Sequence, residues 1–141
     1  MTFKFSRRSL NNLVGVHPDL VKVMTATLDV SPVDFGIIEG VRSAAKQHAD
    51  FLAGASDLDE PPQPGKLRGR HLTGHAIDFA VWKDGTFTWD DTLIREVADA
   101  AKTCAKHLNV AIVWGGDWVH RHDGGHIELN RATYPDAPLI A

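Results

Sequence analysis

The sequence predicts an α+β domain, helices packed against a small, mainly antiparallel sheet, and three observations carry that expectation. Residues 91–108 repeat apolar side chains at helical spacing; several short apolar runs have strand length; and an Asp-Gly pair joins two of those runs. A length of 141 residues suits one domain, spanning 1–141, around one core.

Taken in order, the first helix is expected to start near Pro18, because proline is favoured at the first helical position, and to stop before Ser31-Pro32. Leu20, Val23, Met24, Thr27 and Leu28 share one of its faces. Phe35 to Val41 is expected as a buried strand, and Ser43 as the N-cap of a helix reaching about Leu52 and ended by Gly54. Residues 54–70 show no periodicity and are rich in proline and glycine, which predicts a long loop. Ala76 to Trp82 and Thr86 to Trp89 flank Asp84-Gly85, a hairpin signal. In the helix over 91–108, Leu93, Ile94, Val97, Ala98, Ala101, Cys104, Ala105 and Leu108 form the apolar stripe. Val110 to Trp114 and His126 to Leu129 complete the strands, with a glycine-rich turn between them.

Composition excludes several function classes. A net charge of −3 provides no general basic excess to attract nucleic acid or a membrane. Lys66, Arg68 and Arg70 form a small basic cluster, but no aromatic stacking platform accompanies it. The single cysteine, Cys104, rules out an internal disulfide and a four-cysteine zinc site, and its place on the helical stripe predicts a buried thiol. No stretch reaches the roughly 18 apolar residues of a membrane span. After Lys4, Arg7 and Arg8 only Leu13-Val14-Gly15-Val16 is apolar, too short for a secretion signal, so synthesis in the cytoplasm is expected. A monomer is the default expectation.

Eight histidines remain as metal ligands, and two segments concentrate the chemistry. In Arg70-His71-Leu72-Thr73-Gly74-His75-Ala76-Ile77-Asp78-Phe79, strand alternation sets Ile77 and Phe79 on one face and Asp78, between Ala76 and Ala80, on the other. The plainer reading of Asp78 alone is a solvent-facing aspartate. In Asp123-Gly124-Gly125-His126-Ile127-Glu128-Leu129, Ile127 and Leu129 face the core while His126 and Glu128 face away. Two histidines and one aspartate make three protein ligands, the number typical of catalytic zinc, where a fourth position is kept for water. Asp123, three residues before His126, can point at the same water. Glu128 is a candidate for orienting a ligand. Trp114 is expected in the core and Trp118 on a wall of the cleft. His75 is not expected to bind metal, since Gly74 and the following strand argue against a helix there; His120 and His122 flank the site, and His17, His48 and His107 are expected to be solvated.

The pattern H-x-x-G-x-A-x-D, followed by an acidic residue three positions before a histidine on a late strand, resembles the D-alanyl-D-alanine carboxypeptidase/dipeptidase family. The nearest resemblance is to small phage L-alanyl-D-glutamate endopeptidases, and it extends over SRRSLNNLVGVHPDL, FGIIEGVRS, HLTGHAIDF and DGGHIEL. That resemblance implies a hedgehog/D-Ala-D-Ala-peptidase-like fold and zinc-dependent hydrolysis of a peptide bond in peptidoglycan stem peptides, acting on the wall once the membrane is breached. It implies zinc ligands at His71, Asp78 and His126, a general base at Asp123, and Arg42 holding the scissile carbonyl or its oxyanion. Gln47 and Trp118 would support or contact substrate. The chain departs from the pattern at Gly69, where many relatives carry serine. Two alternatives follow: a D-Ala-D-Ala carboxypeptidase or dipeptidase, and, in another class, a zinc-stabilised binding module without turnover.

Overall fold

The computed structural model describes residues 3–56, 58–59, 62, 69–120 and 122–135. The elements run α1 (Arg7–Asn12), α2 (Pro18–Val30), β1 (Asp34–Glu39), α3 (Ala44–Leu52), β2 (Ala76–Lys83), β3 (Thr86–Thr88), α4 (Asp91–Leu108), β4 (Ile112–Trp114) and β5 (His126–Leu129). Two tight 3-10 turns, Arg70–Thr73 and Gly115–Asp117, precede β2 and follow β4. The sheet is antiparallel in order β1-β2-β5-β4, with β3 paired to the far end of β2. The expected α+β architecture is therefore the observed one.

The core lies between the inner face of this sheet and α2 and α4. From α2 come Leu20, Val23, Met24, Thr27 and Leu28; from α4, Ile94, Val97, Ala98, Ala101, Cys104 and Ala105. Phe35, Ile37, Ile77, Phe79, Val81, Ile127 and Leu129 meet them from the strands. Burying one such large side chain contributes about 1.5–3 kcal/mol, and this non-directional gain holds the two layers together. Cys104 is a buried free thiol, as its position on the stripe requires.

Local chemistry sets most boundaries. Pro18 opens α2, and Ser43 caps α3 by accepting the Lys46 N–H at 3.1 Å. Asp84 and Gly85 take φ of 54° and 79°, both left-handed, which matches the twist of a two-residue hairpin. Three strands differ from expectation. β1 ends at Glu39 rather than Val41, because the chain beyond it turns toward the segment of His71: the Arg42 N–H donates to the His71 carbonyl at 3.0 Å. β3 ends at Thr88, since Asp90 becomes the N-cap of α4 and accepts the Leu93 N–H at 3.1 Å. β4 begins at Ile112, since the Val110 N–H closes the end of α4 on the Ala105 carbonyl at 2.9 Å.

Helix α1 was not anticipated; the first helix expected was the one at Pro18. It is six residues long and carries no apolar stripe, so periodicity cannot reveal it. Its cap was visible: Ser6 accepts the Ser9 N–H at 3.1 Å. α1 covers the edge strand. Ser9 Oγ accepts the Ile37 N–H at 3.0 Å and Asn12 Nδ2 donates to the Ile37 carbonyl at 2.8 Å, satisfying both polar groups beside an irregularity of β1.

Candidate metal centre and its cleft

Register places the centre of the site. In the β2–β5 pairing Ile77 lies opposite Ile127 and Asp78 opposite His126. The alternation that buries both isoleucines against the helices turns Asp78 and His126 together to the other face. His71 arrives from the 3-10 turn just before β2, which Gly74 ends at φ 75° so that the chain can re-enter the sheet.

Each histidine is oriented by an oxygen behind it. His71 Nδ1 lies 2.8 Å from the Gly40 carbonyl and His126 Nε2 lies 2.8 Å from Glu128 Oε1. Both oxygens accept, so those nitrogens carry the hydrogens. His71 Nε2 and His126 Nδ1 then face Asp78 Oδ1, at 3.3 and 3.0 Å. One ligand atom from each of the three residues lies within 4.8 Å of the others. Two tetrahedral ligands about 2.1 Å from zinc stand about 3.4 Å apart, so the observed spacings need little adjustment. The donor set, two imidazole nitrogens and a carboxylate oxygen, fits the ion the sequence implied. Among the described residues this is the group of three or more ligand-type side chains that can share a cation.

The electrostatics show what the triad does without a cation. Burial pushes the Asp78 carboxyl up, but hydrogen bonds and charge from His126 and His71 outweigh it and hold the group well below the usual carboxylate range. Burial likewise lowers His126, yet its hydrogen bonds to Asp78 and Glu128 prevail and push it up to about 9. The raised pKa of His126 and the lowered one of Asp78 express the same attraction between the ring and the carboxylates.

Around the triad lies a cleft of about 730 Å³. Asp123 lines it on the loop after the Gly115 turn, with its N–H donated to the Gly115 carbonyl at 3.0 Å. A Cβ at Gly115 would stand 2.4 Å from the Asp123 carbonyl oxygen, so this close approach requires glycine. Desolvation in the cleft raises the Asp123 carboxyl above its ordinary value, and the charge of Asp78 adds to it. Arg42 sits across the cleft with Nη2 4.0 Å from Asp78 Oδ2, contacts Glu39, and has Nε 3.5 Å from Asp50. Its Nη1 donates to Gln47 Oε1 at 2.8 Å. Gln47 is buried, and its amide nitrogen donates to Ser56 Oγ at 2.9 Å and to the Leu58 carbonyl. Those bonds make Gln47 a strut for Arg42. A Cβ at Gly69 would come within 3.2 Å of Gln47 Oε1, so the departure from serine there leaves room for this strut. Trp118 forms a wall, its ring centroid 5.0 Å from that of His126.

The remaining expectations divide. Ala55, Ser56, Leu58 and Gly69 of the long 54–70 segment line the cleft; Lys66 and Arg68 lie outside the described residues. Arg70 is no surface cation. It is buried, donates through Nη2 to the carbonyls of Leu129 (3.0 Å) and Tyr134 (2.8 Å), and lies 3.9 Å from Glu128. His17 is half-buried rather than solvated: its Nδ1 accepts the Asp19 N–H at 3.0 Å, capping α2. His75 stays out of the triad and sits buried, Nδ1 2.6 Å from Thr73 Oγ1. His120 lines the cleft, while His48 and His107 are exposed. Sequence reasoning missed Glu39, which packs on Arg42, although pairing opposite Asp78 at the end of β1 marks its position.

One imidazole from the turn before β2, one imidazole and a carboxylate from the sheet, and a second carboxylate lining the same cleft make a layout that fits a hydrolytic metal centre. Comparison with known proteins narrows that class. Residues 1–140 match the family described as phage L-alanyl-D-glutamate peptidase. The chain is 35% identical over 141 aligned residues to the L-alanyl-D-glutamate peptidase of Escherichia phage T5, covering 92% of this chain and 99% of that protein. It is 30% identical to the peptidoglycan L-alanyl-D-glutamate endopeptidase CwlK of Bacillus subtilis, over 85% of this chain and 73% of that one. The crystal structure of the Serratia marcescens L-Ala D-Glu endopeptidase ChiX superposes with a TM-score of 0.84, at 38% identity and 95% coverage of both chains. The chain belongs to the phage L-alanyl-D-glutamate peptidase family.

Proposed function

We propose that this chain hydrolyses the L-alanyl-D-glutamate bond of peptidoglycan stem peptides, in the manner of a phage endolysin, with zinc held by His71, Asp78 and His126. The observation that carries the reading is the convergence of His71 Nε2, Asp78 Oδ1 and His126 Nδ1, with both rings oriented from behind by Gly40 and Glu128. When bound, the ion supplies an acidified water and polarises the substrate carbonyl.

The chain's own residues do the rest. Asp123 accepts a proton from the attacking water as its oxygen bonds to the L-alanyl carbonyl carbon. The same carboxyl then returns the proton to the D-glutamyl nitrogen as the C–N bond breaks. A carboxyl raised above the ordinary range by the cleft is better suited to the second task than a fully solvated one. Arg42, held by Gln47 and Glu39, donates to the carbonyl oxygen as negative charge develops there. Trp118 and residues 55, 56 and 58 wall the substrate. A purely structural metal has no use for Asp123 or for a braced arginine. No helix among the described residues is long and apolar enough to cross a membrane.

Mass spectrometry of purified peptidoglycan after digestion tests the proposal. Cleavage is expected to expose a new D-glutamyl amine and an L-alanyl carboxylate, and to stop when a chelator removes zinc. Release of terminal D-alanine alone would make the chain a carboxypeptidase instead.

A further inference from the structure

The sheet face that carries Asp78 and His126 also bears exposed aromatic rings that the proposed reaction does not use. Side chains alternate along β2, so Asp78, Ala80 and Trp82 share the face that looks away from the helices. Phe87 lies opposite Trp82 across the hairpin, and the two half-exposed rings meet edge to face with centroids 5.0 Å apart. Trp89 follows β3 and is the most exposed of the three, at 60%. It reaches back to the site. A Cβ at Gly125 would stand 3.6 Å from Trp89 Cζ3 and 4.0 Å from Asp123 Oδ1, so the indole and the carboxylate border one point on the loop before β5. Single exposed apolar side chains are ordinary, but three on one hairpin, continuous with the rim of a cleft, mark a binding surface.

The substrate of the proposed reaction is more than a peptide. In peptidoglycan the nitrogen of the L-alanine is acylated by the lactyl group of an N-acetylated amino sugar. A pyranose ring therefore begins about two residue lengths, roughly 7 Å, on the carbonyl side of the cut. A cleft that seats this carbonyl beside Asp123 has to place a sugar close by. The C–H face of a pyranose packs on the electron-rich face of an indole, while its hydroxyl and acetamido groups stay in water. A flat, uncharged, half-solvated surface suits such a ligand. We infer that Trp89, continued by Trp82 and Phe87, is a subsite for the amino sugar that bears the stem peptide, and that it makes the protein selective for glycan-linked stems over free peptide. The inference rests on the L-alanyl-D-glutamate reading.

Two substrates of identical stem sequence test it, one carrying its amino-sugar disaccharide and one with a plain N-acetyl group in place of the sugar, both digested by the zinc-loaded protein. The wild type is expected to favour the glycan-linked stem by about tenfold in kcat/KM, mainly through KM, the scale of covering half of one exposed aromatic side chain. In Trp89→Ala that preference shrinks to about twofold or less, and Trp89→Phe keeps part of it. Glycan strands stripped of peptide are expected to bind the wild type more tightly than Trp89→Ala by a similar factor in a calorimetric titration. Equal losses on both substrates would mean that Trp89 only shapes the Gly125 loop, and would overturn the inference. So would a wild-type dimer that Trp89→Ala dissolves with the substrate preference unchanged, since the patch would then be an interface between copies. Should Trp89→Ala not fold, the wild type alone still decides, because equal rates on the two substrates are incompatible with a sugar subsite. Cleavage of neither substrate by the wild type would remove the underlying function and the inference with it.

Discussion

At Gly40 an added Cβ would sit 1.8 Å from the Asn12 carbonyl oxygen and 3.0 Å from Val16 Cγ2, so the backbone there would have to move. The same residue's carbonyl orients His71. Gly40→Ala is therefore expected to weaken metal binding by about 10- to 100-fold, the usual cost of losing a partner behind a metal ligand; a chelator-competition titration measures it. Asp123→Ala is expected to act oppositely, abolishing turnover while zinc still binds with wild-type affinity. Wall lysis at the normal rate by Asp123→Ala would remove Asp123 from the mechanism. For His126 the sign of the pH dependence follows from its raised pKa. In the metal-free protein the protonated form contributes stability that is fully present below about 6.5, the unfolded value, and is lost as pH rises through about 9. Metal must displace that proton, so zinc affinity is expected to rise about tenfold per pH unit up to roughly 9. A pH-independent affinity between 6 and 8 would contradict this.

Among the elements, α1 shows how a short helix can matter without contributing much apolar surface. Ser9 is buried and its hydroxyl receives the Ile37 N–H, so Ser9→Ala leaves a buried donor unsatisfied. The expected loss is about 1–3 kcal/mol by chemical denaturation. A change below about 0.5 kcal/mol would mean that water replaces the bond, which is how solvent-exposed positions behave. The elements that were legible in the sequence are those whose signals are local. α4 shows its stripe, α3 its Ser43 cap, and the β2–β3 hairpin its Asp84-Gly85 turn. The misplaced strand ends at residues 39, 88 and 112 have a common cause. Each is set by a hydrogen bond to a neighbouring helix cap or to the His71 segment, and strand propensity carries no record of those partners.

For the molecule as a whole, the triad joins the turn before β2, the middle of β2 and the start of β5, so a bound ion links parts of the chain 55 residues apart, from 71 to 126. A ligand that binds only the folded state adds about 2.7 kcal/mol at 100 times its Kd. For a domain of this size that is a rise in Tm of roughly 10 °C. Calorimetry with and without a chelator is expected to show this shift with the folded state retained. Complete unfolding on chelation at 25 °C would point instead to a structural metal.

What the sequence determined by itself was the fold class and the alternation that turns Asp78 and His126 away from the core; the proposed ligand set, with Asp123 as base and Arg42 beside it, was completed by resemblance to a family. The alternation is legible because side-chain direction along a strand is a period-two property of neighbouring residues. Only the tertiary structure decided which oxygens orient the two histidines, that Arg70 is buried, and that Gln47 braces Arg42 rather than facing solvent. Those facts depend on contacts such as Gly40 with His71 and Arg70 with Leu129, across 31 and 59 residues of chain. Folding alone brings such partners within hydrogen-bond reach, and no local pattern encodes them.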